Sequence, residues 1–164
     1  NIAEKKDFFS VIKLYKSKLG YIKNNSIVEQ KSKRLEISRL SMMMLNIPYL
    51  WGGKSIYGYD CSGFVQTIFK AIGIKLPRDS KDQYEYLKKV NMNKVCKIPK
   101  SGDLIFFSKD NNLISHVAIY LENQMFIHSS GSVKINSFND DDLIFDFKLN
   151  QFLISIYSID SILN

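Results

Sequence analysis

Two cysteines and two histidines in 164 residues leave few candidates for nucleophilic or metal chemistry. Cys61 stands out, in "YDCSGFVQTIF" (residues 59–69), where a helical apolar pattern starts just behind an aspartate, a cysteine, a serine and a glycine. A cysteine in the first turn of a helix meets unpaired backbone amides. Their partial positive charge favours the thiolate, and with a histidinium nearby the pKa can fall from about 8.5 to below 7. Asp60 is placed to cap the helix from just outside, and Gly63 leaves the approach to Cys61 open. The competing role for Cys61 is that of a small buried apolar residue, which free cysteines often fill.

A thiol nucleophile needs a base, and His116 and His128 are the only histidines. On a strand, His116 shares a face with Ala118 and Tyr120. If HVAIYL pairs with QMFIHSS through an odd-length loop centred on Glu122, His128 lies directly across from His116, with Cβ atoms roughly 5 Å apart. An even-length loop would send the two rings to opposite faces. In the odd register His116 is the base for Cys61, and His128 orients its imidazole and stabilises its charge. A zinc site of Cys61, Cys96, His116 and His128 is the formal competitor, but it lacks the closely paired ligands of structural zinc sites. Cys96, in "NKVCKIP", has no capping residue or glycine around it and reads as filler of a small core gap.

The elements that must position these side chains change character along the chain. Residues 7–19 place Phe8, Ile12, Tyr15 and Leu19 at helical spacing, and residues 27–45 do so again with Ile27, Leu35, Leu40 and Met44 before Pro48, predicting an all-helical N-terminal third. "IPYLWGGKSIYGYDC" has no sustained period and reads as a loop. Residues 61–72 read as a helix with Gly73 at the left-handed cap position, and another helix follows Pro77 with Asp79 or Ser80 as its N-cap. From residue 104 the runs LIFFS, HVAIYL, QMFIHSS, VKINSF and FLISIYSI are short, β-branched or aromatic, and separated by turn residues. Helices followed by an antiparallel meander predict an α+β fold. The expected organisation is a helical region over 1–45, packed on or leading into a catalytic domain over 46–164.

Composition sets outer bounds. The chain is 45% hydrophobic and 13% aromatic, consistent with one domain large enough to bury a core without disulfides. No apolar run reaches the roughly 18 residues of a membrane-spanning helix. The chain opens on Asn1, so a starting methionine and any signal segment are expected upstream. The net charge of +7 is uneven: residues 1–100 hold 20 basic and 8 acidic side chains, whereas residues 101–164 hold 3 and 8. Such a dipolar chain suits an anionic partner, but a nucleic-acid role would rest on charge alone and ranks last.

The blocks "PYLWGG", "GYDCSGFVQ", "LPRDS", "PKSGDLIFF", "SHVAIYLEN" and "FIHSSG", in this order over residues 48–131, resemble the NlpC-type cell-wall cysteine peptidases, a papain-like family. The resemblance implies Cys61 as nucleophile, His116 as general base and His128 as the third, polar member. It implies Tyr49 beside the cysteine, helping to hold the reacting carbonyl, and Asp60, Ser62, Arg78 and Ser80 shaping the substrate site. Asp60 and Ser80 also have complete explanations as helix caps. The implied activity is hydrolysis of the bond from D-γ-glutamate to a diamino acid in peptidoglycan stem peptides, outside the cytoplasm, with no metal or organic cofactor. Two other readings use the same frame: a cell-wall peptide-binding module without catalysis, and an amidase or acyltransferase. Residues 1–45 carry none of the family's blocks.

Overall fold

Short β-branched and aromatic runs after residue 104 build the central layer. In the computed structural model, which describes residues 2–5, 9–13, 18–23, 32–110 and 113–163, the chain forms two compact units, 1–31 and 32–164.

The first unit contains three antiparallel strands, β1 (Ile2–Lys5), β2 (Phe9–Lys13) and β3 (Leu19–Lys23), in the order β1-β2-β3. This corrects the helix expected over 7–19. Short apolar runs satisfy helical and strand spacing alike, and here the β-branched Val11 and Ile12 pair with Tyr21 and Gly20 across a ladder.

The second unit opens with α1 (Lys33–Met43), capped by Ser32, whose Oγ accepts from the Leu35 amide at 3.3 Å. Residues 27–31, the start of the helix expected over 27–45, lie outside the described residues. The buried face also differs from the expected one: Ile37 and Ser41 are buried, Leu40 and Met44 pack beside them, and Leu35 is exposed. A serine tolerates this position because its hydroxyl donates to the Ile37 carbonyl one turn back.

A short hairpin follows, β4 (Lys54–Ser55) with β5 (Gly58–Tyr59), then α2 (Cys61–Ala71) and α3 (Ser80–Val90). Gly73, at φ +84°, closes α2: its amide donates to the Lys70 carbonyl and the Ile74 amide to the Phe69 carbonyl. The remaining strands are β6 (Leu104–Phe107), β7 (His116–Tyr120), β8 (Met125–Ser130), β9 (Ser132–Ser137) and β10 (Leu153–Tyr157), with a short α4 (Phe147–Gln151) before the last. They form one antiparallel sheet in the order β10-β6-β7-β8-β9.

Both faces of this sheet are covered. Leu104, Phe106, Val117, Ile119 and Ile127 share a core with Phe64, Val65, Ile68 and Phe69 of α2. Ile105, Phe107, Ala118 and Phe126 form a second core with Phe138, Leu149 and Phe152. Burial on both sides is why LIFF is apolar throughout and does not alternate with polar residues. Among the described residues no helix is long and apolar enough to cross a membrane.

One buried ion pair ties α1 to the sheet. Asp103, 1% exposed at the entry to β6, accepts from the Lys100 and Ile159 amides at 2.8 and 3.1 Å, and lies 2.9 Å from Arg34 Nη2. Arg34 also reaches Asp160 at 2.7 Å and the Ser101 carbonyl at 2.6 Å. Removing the cation strands a buried carboxylate. Arg34→Met, which keeps the aliphatic stem, is therefore expected to lower the unfolding free energy by about 3 kcal/mol in urea denaturation. A loss below about 0.5 kcal/mol would mean that the pair behaves as an exposed one.

Candidate active site

Asp60 organises the first turn of α2. Its Oδ1 accepts from the Gly63 amide at 2.6 Å, which is the capping bond expected from sequence, and its Oδ2 accepts from the Gly52 amide at 3.0 Å. Arg78 donates to both oxygens, at 3.1 and 2.5 Å, and to Ser62 Oγ at 3.0 Å. Burial alone would raise the Asp60 carboxyl, but the bonds from Arg78, Gly63 and Gly52 outweigh it and hold the group below its ordinary value. Gln83, fully buried on α3, donates to the Ser62 and Pro77 carbonyls at 3.1 and 3.0 Å, locking α3 to this turn.

Gly63 has a different reason from the open approach expected of it. A Cβ there would meet the Gly53 carbonyl oxygen at 2.3 Å and Asp60 Oδ1 at 2.8 Å. The missing Cβ of Gly63 thus lets two backbones touch, bringing the loop before β4 against the helix start.

Cys61 is the first residue of α2, with its sulfur facing the amides of Val117, Ser62 and Cys61 itself. Burial nevertheless pushes the thiol up, the Asp60 charge adds to this, and the amides only partly oppose it. This corrects the expectation of a lowered pKa: desolvation outweighs the helix terminus.

Tyr49, Asp60, Cys61, Ser62, Arg78, Ser80 and His116 all line one cavity of about 230 Å³. His128 is not in its wall but stands behind His116. His116 Nε2 and His128 Nδ1 are 2.7 Å apart, with ring centroids at 5.0 Å and planes at 82°. His128 Nε2 is 2.9 Å from Asn136 Oδ1. The phenol of Tyr49 is pushed up by burial and by the neighbouring Cys61 and Asp60, so it is a hydroxyl donor at neutral pH.

The strand register corrects the sequence reading by two residues. Ile119 pairs with Ile127 and Tyr120 with Phe126, which sets His128 opposite Ala118 and not opposite His116. The cause is the turn: Asn123 and Gln124 both take positive φ, and the Met125 amide bonds to the Glu122 carbonyl, centring the hairpin on Asn123. A shift of two preserves the face, so the rings still meet, diagonally.

Sequence reasoning missed Trp51, Gly52, Asp79 and Ser115, which also line the cavity, and Asn136. Gly131 at φ +74° between the paired Ser130 and Ser132 was the available signal for Asn136, because that tight turn fixes the register of β9 against β8. Asp79 holds the N-cap position of α3 but makes no capping side-chain bond. Cys96 is partly exposed and donates to the Ile98 carbonyl at 3.3 Å, so it fills no core gap and takes no part in the cavity. Among the described residues no three His, Cys, Asp or Glu side chains gather as a metal site.

A cysteine opening a buried helix, beside histidines on an antiparallel sheet, defines a papain-like α+β domain. The profile of the NlpC/P60 family matches residues 46–144, more than half of the chain, and the chain belongs to that family. It is 35% identical over 138 residues, 74% of this chain, to the gamma-D-glutamyl-L-lysine dipeptidyl-peptidase of Bacillus subtilis strain 168. It is 38% identical over 97 residues, 57% of this chain, to the murein DD-endopeptidase MepS/murein LD-carboxypeptidase of Escherichia coli K12. These matches span 45% and 49% of the two relatives, so the chain covers under half their length. A crystal structure of an NlpC/P60 family protein from Bacillus cereus superposes with a TM-score of 0.59 at 26% identity, covering 96% of this chain and 52% of that one.

The histidines also set an acid sensitivity. Burial pushes His116 down to about 3, with the His128, Lys109 and Lys134 charges adding, and pushes His128 down to about 4. Both bind protons more readily once unfolded, so stability should fall as pH drops from about 6.5 toward 4. For the fully buried His128 the loss between pH 7 and 5 is on the order of 1–2 kcal/mol. Urea midpoints at the two pH values should show a smaller gap in His128→Gln than in the wild type. Equal gaps would remove His128 as the cause.

Proposed function

We propose that this chain is a cysteine endopeptidase that hydrolyses peptidoglycan stem peptides outside the cytoplasm, at the bond from D-γ-glutamate to a diamino acid. The observation that carries the reading is the shared cavity of Cys61 and His116, with His128 bonded behind the base. The names of the Bacillus subtilis and Escherichia coli relatives supply the substrate class.

In this reading the resting pair is neutral, a thiol beside an imidazole, because burial raises Cys61 and lowers His116. As the sulfur attacks the γ-carbonyl, the thiol proton passes to His116. The oxyanion is received by the Cys61 amide and the Tyr49 hydroxyl, both from residues that line the cavity. His116 then returns the proton to the leaving amine as the carbon–nitrogen bond breaks. Water, activated by the same imidazole, releases the acyl group from the thioester. Neither step needs a metal or an organic cofactor.

The polar wall of Asp60, Ser62, Arg78 and Ser80 is assigned to substrate. Asp60 and Arg78 neutralise one another, so they offer a rigid array of donors and acceptors more than a net charge.

Purified peptidoglycan and free stem peptides digested by the chain should yield fragments ending in γ-glutamate, identified by mass spectrometry. Cys61→Ala and His116→Ala should lose about 10³-fold or more in turnover with circular dichroism unchanged, and His128→Ala less, since water replaces an orienting group in part. Undiminished hydrolysis by Cys61→Ala would end the proposal. Since the base stays neutral well below pH 6.5, the acid limb of kcat/KM should lie below the value of a free imidazole. A limb at or above pH 6.5 would mean that the base is not a buried histidine.

A further inference from the structure

The hydrogen bonds behind His116 have a direction, and its origin lies three residues from the sulfur. Asn136 Nδ2 donates to the Ile144 carbonyl at 2.9 Å. A carbonyl can only accept, so the amide cannot be turned over: the flipped form would set two acceptor oxygens against each other. Asn136 therefore presents Oδ1 to His128, at 2.9 Å, and an acceptor there requires a proton on His128 Nε2. Neutral His128 then has a bare Nδ1, which accepts a hydrogen bond from His116 Nε2–H across 2.7 Å. Neutral His116 is left with its lone pair on Nδ1, the one ring nitrogen still available to the cavity that it lines with Cys61.

We propose that Asn136 is a positioning residue that sets the tautomers of both histidines, so that His116 meets Cys61 as a proton acceptor. This rests on the endopeptidase reading for its consequence, but the tautomers themselves do not depend on it. The alternative tautomer would point an N–H at the thiol and leave no base. The directing element is backbone: the Ile144 carbonyl also accepts from the Ser137 amide at 2.9 Å, which holds it in place. The charged groups acting on the two rings are Lys109 and Lys134 on His116, and Lys134 and Asp146 on His128. None of these fixes the proton on a particular ring nitrogen, whereas the Asn136 Oδ1 acceptor does.

The test reads tautomers directly, by long-range ¹H–¹⁵N correlation on the ¹⁵N-labelled full chain at pH 7. In the wild type, His116 should show a protonated Nε2 and a bare Nδ1, and His128 the same. Asn136→Leu should bring the His116 nitrogens toward averaged shifts and lower kcat by about 10-fold or more with KM little changed. Asn136→Asp keeps an acceptor for His128 Nε2 but loses the donor to the Ile144 carbonyl, so it should return the tautomers while kcat recovers only in part, and its charge should move the acid limb of the pH profile upward. Wild-type tautomers retained in a folded Asn136→Leu would overturn the proposal. So would a His116 in the wild type that is protonated on Nδ1. If the tautomers respond as expected but no peptidoglycan fragment appears with any variant, the endopeptidase reading fails and the tautomer assignment stands.

Discussion

The carboxylate of Asp60 is the interaction on which the rest of the site depends. It takes hydrogen bonds from Gly52 in the loop before β4, from Gly63 in the first turn of α2, and from Arg78 ahead of α3. Three segments within residues 52–78 are thereby fixed to one point, a residue before the cysteine. The same requirement explains Gly63, because the segments can converge only if the Gly53 carbonyl reaches its Cα. It also makes the charges of Asp60 and Arg78 structural before they are anything else: each is the other's counterion.

A second constraint is dehydration. Cys61 and His128 are buried and His116 is half-buried in the cavity wall, and scarcity of water disfavours every charged form. A helix terminus is a weak opponent for that effect, so the thiol rises when a first-turn position alone would lower it. In the proposed reaction such a site holds its proton until a substrate carbonyl arrives, and amides and a phenol then meet the developing charge. Rigid hydrogen-bond direction matters more in such a site than stored charge, which is why a neutral asparagine is a fitting end to the histidine chain.

Much of this was legible in the sequence, for identifiable reasons. The five strands after residue 104 and the helix from Cys61 were readable because short β-branched and aromatic runs bounded by turn residues mark the first and a continuous apolar stripe marks the second. The shared face of His116 and His128 was readable because strand parity survives any even shift, whereas the shift itself was set by a turn whose positive-φ residues, Asn123 and Gln124, are not glycines. The N-terminal strands were misread because short apolar runs fit either period, and only the partner strand decides between them.

What the sequence by itself determined was the choice of chemistry: one cysteine in a capped first turn, two histidines on one face, and an ordered set of blocks marking the NlpC/P60 family. Those follow from local rules, since caps, parity and spacing act within a few residues. Only the tertiary structure decided that Gly63 is a contact between backbones, that the Cys61 thiol is raised, that His128 stands diagonal to His116, and that Asn136 completes the chain behind them. Each of these depends on which atoms from distant segments exclude water or offer a lone pair. Spacing along a chain does not encode that.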